Sequence, residues 1–310
     1  MRRTLLLLFL LPLPLVFARA QSEPAPSIAT PQESQPLTSR IRGLFDFDLP
    51  NLDAPGTIKL TLHPHFGDLV RRDYMRIDAG FRWAINDRFE ISPEAGVYFN
   101  HGFRGSDSGN GISELRLGSK YVLRGWPKPD FETSVFVNLE APVGRPPVDI
   151  TDGLDHFAPG FLVQHHASRN PRLTTFSGAG FDLVAESDVI GTPAFNQPRD
   201  HSVNFTAGAI YDLGRVKWTL TATYMTTALI GDDDTEHFLH LRPSVLWYVP
   251  TKYTFNSKTQ WILGLGARAS WGPDGTKLSA SNRVRAEITF RQFMDNVRSR
   301  VSPASKPETN

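Results

Sequence analysis

The sequence predicts an all-β protein, an antiparallel transmembrane β-barrel of about twelve strands with short periplasmic turns and longer extracellular loops. Three observations support this fold class: apolar and polar residues alternate along most of the chain, the connections alternate between short and long, and aromatic residues gather near the strand ends. In residues 80–99, "GFRWAINDRFEISPEAGVYF", Phe81, Trp83 and Ile85 share one face, and the alternation resumes at Phe89 after the turn 86–88. Alternation on both sides of a tight turn indicates a β-hairpin with one apolar and one polar face.

The hairpin pattern recurs along the whole chain. Many of the segments have the length that crosses a bilayer at a tilt, and their even number returns both chain ends to the same side. A membrane role has to use strands, because no apolar run after residue 20 is long enough for a spanning helix. The strand candidates are residues 57–66, 73–85, 89–100, 112–123, 131–141, 157–167, 173–184, 201–213, 216–228, 238–249, 258–271 and 279–290.

The connections sort by length between the two sides of the predicted barrel. With the N-terminus in the periplasm, the longest connections all lie on the extracellular side, as in outer-membrane barrels. Aromatic residues such as Trp83 and Trp218 lie beside the short turns, and Phe99 and Trp271 near the opposite ends. Two aromatic belts indicate that the apolar face meets lipid. A soluble all-β protein of the periplasm is the alternative fold. The predicted periplasmic turns are 86–88, 124–130, 168–172, 214–215 and 250–257; the predicted extracellular connections are 67–72, 101–111, 142–156, 186–200, 229–237 and 272–278.

The two ends of the chain differ from the middle. Residues 1–20, "MRRTLLLLFLLPLPLVFARA", have the basic start, apolar stretch and small-x-small end of a cleaved secretory signal peptide. Residues 21–42 are rich in Pro, Ser and Gln and are predicted to be disordered, the barrel spans 43–293, and 294–310 form a polar tail. The absence of cysteine excludes a lipoprotein anchor and disulfides. The net charge of +1 argues against a nucleic-acid partner.

If the apolar face meets lipid, the polar face lines the lumen. Charges of both signs there can pair across strands and stay hydrated. For the set of these residues we favour a polar conduit, and for any single one we favour the structural role of filling and holding a narrow lumen. We predict no catalytic residue, cofactor or metal site. The predicted pore-lining residues are Arg76, Arg82, Glu90, Glu94, Glu114, Arg116, Lys120, Glu132, Glu140, Arg242, Arg268 and Arg285.

Two further groups of residues raise the question of a metal site and of a catalytic site. Most histidines, among them His63, His65 and His240, fall near the predicted outer mouth, but their spacing matches no metal motif. His166 and Ser168, with Asn170 nearby, have the look of the His-x-Ser pair of outer-membrane phospholipases and lipid A deacylases. This group lies at a short periplasmic turn, whereas those enzymes work at the outer leaflet. We therefore predict that the protein is not an enzyme.

Residues 111–123, "GISELRLGSKYVL", and the following "FETSVFVNLEAPVG" carry a family resemblance. They are similar to the outer-membrane barrel family named for the meta-pathway of phenol degradation, whose members carry a Gly-x-x-Asp-Leu…Lys-Tyr strand and then a strand ending in Leu-x-x-Pro-x-Gly. Glu114 stands where Asp is usual. The matching positions are Gly111, Leu115, Lys120 and Tyr121 in the first strand and Leu139, Pro142 and Gly144 in the second. The resemblance implies transport of hydrophobic or aromatic compounds.

Together these observations predict an outer-membrane channel or transporter for passive passage of a small solute, which the resemblance suggests is hydrophobic or aromatic. The alternatives are an outer-membrane enzyme that modifies lipids and a closed barrel that serves structure or adhesion. The expected partners are outer-membrane lipid and lipopolysaccharide, the solute, and the outer-membrane assembly machinery.

Overall fold

The computed structural model describes residues 49–66, 68, 73–102, 109–143, 153–186, 201–227, 235–254, 258–273 and 275–301. The predicted signal peptide 1–20, the segment 21–42 and residues after 301 lie outside the described residues, as do parts of most long connections. The predictions for those segments stay predictions.

Twelve antiparallel strands close into one barrel, which confirms the predicted fold class. Each strand pairs with its neighbours in sequence, and β1 pairs with β12 through Lys59 opposite Thr289 and Leu62 opposite Ala286. A short 3₁₀ turn, Thr251–Tyr253, precedes β11, and a helix α1, Phe290–Val301, follows β12. The strands are β1 Ile58–Pro64, β2 Tyr74–Ala84, β3 Phe89–Asn100, β4 Gly111–Arg124, β5 Phe131–Pro142, β6 Leu154–His166, β7 Leu173–Glu186, β8 Ser202–Asp212, β9 Val216–Thr226, β10 His237–Tyr248, β11 Gln260–Gly272 and β12 Gly275–Thr289.

Among the described residues, we find no helix with the length and apolar character needed to span a membrane.

The two ends of the barrel carry different connections. We call the end of the barrel at which β1 begins the lower end. The end at which the chain passes from β1 to β2 is the upper end. Lower connections such as 85–88 and 213–215 are short, and upper ones such as 187–201 are longer. The last upper connection departs from the expected range 272–278, because β12 begins at Gly275 and a tight turn joins it to β11. Gly275 supports this turn with a positive φ of 90°.

The outer face of the barrel is apolar. Leu117, Phe161, Phe205 and Leu265 project from it with large exposed side chains. On β7, whose facing the sequence leaves ambiguous, Phe181 points out with 47% exposure and Phe176 points in with 7%. Because a closed barrel leaves this apolar band uncovered all around, the band meets lipid.

Three prolines inside strands are accommodated in the same way. Pro93, Pro159 and Pro243 each keep regular pairing with one neighbouring strand, opposite Leu117, Val137 and Leu220. With the other neighbouring strand, pairing is interrupted at the proline and at one residue next to it, and it then continues in the same register. A proline has no N–H to donate, so the missing bond stays on one side and the strand continues.

Candidate functional site: the charged interior

The predicted pore-lining residues all lie in strands, on the face opposite to the exposed apolar side chains. Arg76 and Arg82 lie on β2, Glu90 and Glu94 on β3, and Glu114, Arg116 and Lys120 on β4; Glu132 and Glu140 lie on β5, Arg242 on β10, Arg268 on β11 and Arg285 on β12. Most of them meet each other or other polar groups, as the following contacts show.

Arg116 lies at the centre of a carboxylate cluster in the interior. Its Nη1 is 2.8 Å from Glu94 Oε1 and 3.7 Å from Asp78 Oδ2. Its Nε is 3.0 Å from Glu140 Oε2, and Nη2 also contacts Glu114. One guanidinium therefore faces four carboxylates drawn from strands β2 to β5, which leaves a local excess of negative charge.

A second charge network crosses the seam where the barrel closes. Glu287 on β12 accepts a hydrogen bond from Arg82 at 2.6 Å and lies 3.6 Å from Lys59 and 3.7 Å from Arg285. Lys59 also pairs with Asp53 at 2.6 Å. These contacts tie β1, β2 and β12 together on the interior side.

The wall opposite Arg116 is basic. Strands β4 and β10 are separated by five strands in either direction around the closed barrel. The register on both sides of Pro243 places Arg242 opposite Arg268. His240, two residues before Arg242, shares a hydrogen bond with Ser270, with His240 Nδ1 2.8 Å from Ser270 Oγ. Within the described part of the chain, the buried Arg268 Nε and His240 Nε2 have no hydrogen-bond partner.

The chain segment before β1 enters the barrel near its lower end. Lys120 Nζ donates to the main-chain oxygens of Leu49 at 3.1 Å and Asn51 at 3.4 Å. Gln164, which is fully buried, donates to Asn51 Oδ1 at 2.9 Å. Leu49 packs against an apolar cluster on the interior face, made of Phe136, Ala158, Leu162, Phe176 and Ile210. Residues 49–51 therefore occupy part of the lumen.

The histidines near the upper end separate into distinct environments. His156 forms a buried pair with Asp182, with Nδ1 2.9 Å from a carboxylate oxygen, and His237 contacts the Tyr224 hydroxyl at 2.8 Å. His63 and His65 instead converge on one carboxylate, Asp78 of the neighbouring strand. The sequence spacing did not reveal this group, because its third member comes from another strand.

Other interior residues were also missed by sequence reasoning. Leu49 and Asn51 precede the alternating pattern, so no periodicity assigns them a face. Gln164 carries no charge and was not distinguished from other polar residues. Among the charged residues, the proximity of Lys59 to Asp53 depends on the path of the chain before β1.

The residues of the phospholipase-like pattern do not converge on a serine in the described structure. His166 contacts Thr174 Oγ1 at 3.1 Å and Gln164 at 3.2 Å at the lower end of the barrel. Ser168 lies in the turn that follows β6.

Comparisons with solved structures show a likeness of fold. The crystal structure of an outer-membrane channel from Pseudomonas putida F1 matches with a TM-score of 0.53 and 14% identity, over 79% of this chain and 98% of that chain. The KdgM porin matches with a TM-score of 0.43 and 11% identity, over 75% and 99% of the two chains. OccAB4 of Acinetobacter baumannii matches with a TM-score of 0.36 and 11% identity, over 70% and 52%.

No protein-family model matches the chain, and no curated protein matches it in sequence. The resemblance to the phenol-degradation family therefore stays a prediction from the residues quoted above.

Proposed function

We propose that the protein is an outer-membrane channel for passive passage of a small solute. The observation that carries this proposal is a closed barrel with an apolar outer face and an interior lined by charges of both signs. An interior that served only to fill space would not need an acidic wall around Arg116 and a basic wall at Arg242 and Arg268. Separated charges hydrate a conduit and orient a polar solute within it. The likeness in fold to an outer-membrane channel is consistent with this function.

The solute we propose is small and has a hydrophobic or aromatic part. The family resemblance implies such compounds. The interior carries a matching apolar cluster of Phe136, Leu162 and Phe176, which is buried beneath Leu49, so a solute would meet it once residues 49–51 move aside. Apolar side chains inside a polar lumen give a ring or alkyl group a favourable contact during passage. The basic wall on β10 and β11 would hold any negatively charged group of the solute.

The test is single-channel conductance of the refolded barrel in a planar bilayer. Arg82→Ala and Arg268→Ala are compared with wild type, and Leu265→Ala, which changes the exposed outer face of β11, is the matched control. We expect stable conductance steps whose size or ion preference changes in both arginine variants and not in the control. Silence from protein that is separately shown to be folded and inserted would contradict an open channel.

A second candidate function, a closed barrel serving structure or adhesion, is favoured by one observation. Residues 49–51 occupy part of the lumen and are held there by Lys120 and Gln164. Removing residues 21–53 separates the two functions. A channel narrowed by this segment conducts in both forms and conducts more after the truncation. A barrel that the segment closes is silent at full length and conducts only after the truncation, and a barrel closed by its own side chains stays silent in both forms.

A further inference from the structure

We propose that His63, His65 and Asp78 form a binding site for a divalent transition-metal ion, best suited to Zn²⁺, in the upper half of the lumen. The site is independent of whether the barrel conducts. It would take the metal with three protein ligands and leave the remaining coordination positions to water or to a solute in the lumen.

The backbone brings the three side chains together. His63 is the cross-strand partner of Asp78, so their side chains project from the same face of the sheet. His65 lies two residues further along, and its main-chain N–H donates to Arg76 O at 2.9 Å, which extends the ladder past the end of β1. Residues two apart on an extended chain face the same side. Both imidazoles therefore reach the Asp78 carboxylate from one direction.

The distances suit a metal ion. Asp78 Oδ2 lies 2.7 Å from His65 Nε2 and 3.7 Å from His63 Nδ1, and the three ligand atoms lie within 4.8 Å of one another. In a tetrahedral zinc site with bonds of about 2.1 Å, neighbouring ligand atoms are about 3.4 Å apart. Small side-chain rotations reach that spacing. Two imidazoles and one carboxylate with open positions are a donor set typical of Zn²⁺ and of other divalent transition metals.

The charges around the three ligands favour a cation. Asp78 is 3% exposed and also contacts Arg116, which in turn faces Glu94, Glu114 and Glu140. Four carboxylates therefore contact this one guanidinium, whose charge offsets only part of theirs. A bound divalent ion would offset the excess negative charge, and the buried carboxylate provides a strong ligand.

The test is Zn²⁺ titration of the refolded barrel by isothermal calorimetry, with protein that carries no polyhistidine tag and has been dialysed against a chelator. The ligand variants are His63→Gln, His65→Gln and Asp78→Asn. The matched control is His237→Gln, which changes a histidine at the same end of the barrel. Heat-modifiable electrophoretic migration establishes folding for each protein. Visible absorption of bound Co²⁺ reports imidazole and carboxylate coordination separately from surface adsorption.

We expect one saturable Zn²⁺ per wild-type barrel. Each ligand variant should bind at least about tenfold more weakly, because even the loss of a hydrogen-bond partner of a ligand costs about 10–100-fold in affinity. The control should bind as wild type does. No saturable binding by folded wild type overturns the proposal, and so does wild-type affinity in His63→Gln and His65→Gln, or an equal loss in His237→Gln. If Asp78→Asn does not fold, the two histidine variants decide the outcome.

Discussion

Lys120 on β4 donates a hydrogen bond to the main-chain oxygen of Leu49, inside the barrel, at 3.1 Å. The same ammonium reaches Asn51 O and lies 3.4 Å from Glu90, so it connects the barrel wall to the segment that precedes β1. A hydrogen bond to a charged group contributes about 1.5–3 kcal/mol. This lysine therefore anchors the segment in the lumen.

Replacing Lys120 with Met should release the segment. The variant keeps the length of the side chain but loses the ammonium that holds both main-chain oxygens. Since the chain contains no cysteine, a single Leu52→Cys provides a unique label for the segment. We expect faster reaction of this cysteine with a soluble thiol reagent, and larger conductance steps, in the Lys120→Met background. Equal labelling rates with lysine and with methionine would contradict the anchoring role.

Replacing Arg116 with Met should destabilise the barrel and shift its ion preference. The variant leaves the carboxylate cluster without its central cation, and loss of one partner from a buried ion pair costs about 3–5 kcal/mol. We expect a lower urea midpoint for unfolding in lipid vesicles. We also expect the reversal potential of the channel to shift to a value that reports greater preference for cations. Arg124→Met, on the same strand at its exposed lower end, is the control and should unfold close to the wild-type midpoint. A cation shift of the same size in that variant would argue against the cluster as its source.

Two adjacent residues on β5 test which face meets lipid. Leu139 is 43% exposed on the outer face, and Asn138 points into the interior. A lysine at the bilayer midplane on the lipid face costs about 2–4 kcal/mol. Because this cost falls toward the interfaces and Leu139 lies above the middle of β5, we expect Leu139→Lys to lower the free energy of unfolding by up to about this amount. Asn138→Lys should have a smaller effect, and both are measured by urea titration in vesicles. A larger loss for Asn138→Lys than for Leu139→Lys would mean that Asn138 faces the lipid and Leu139 faces the interior.

Two glycines on interior positions should respond differently to alanine. A Cβ at Gly80 would meet the Pro93 carbonyl oxygen and lie 2.8 Å from Glu94 Cα, both parts of the backbone. A Cβ at Gly264 would meet Leu246 Cδ2 at 2.9 Å, the end of a flexible side chain. We expect Gly80→Ala to cost about 1–3 kcal/mol, as overpacking does, and Gly264→Ala to cost clearly less. If both variants lower the urea midpoint equally, the backbone of Pro93 and Glu94 moves away from the added methyl group as easily as the Leu246 side chain does.

Most strands could be predicted from the sequence within a few residues, and β3, predicted at 89–100, spans those residues. The facing of Phe176 and Phe181 could not, because both residues are aromatic and the strand between them lacks a clear apolar phase. The start of β12 was also placed too late, since Gly275 to Leu278 have no apolar alternation and join the strand by pairing with Gly272 to Ala269. The interior contacts of Leu49 and Asn51 lie outside any periodic pattern.

By itself, the sequence determined the strand number, the inward or outward facing of most strand residues, and the charged character of the interior. The pleat of a strand alternates with a period of two, so these properties depend only on neighbouring residues. The tertiary structure decided which side chains meet. Register and barrel closure bring Asp78 to His63 and His65, set four carboxylates around Arg116, and place Leu49 against the inner wall. Those contacts join residues far apart in the chain or on different strands, and their positions follow from hydrogen-bond pairing between strands rather than from local alternation.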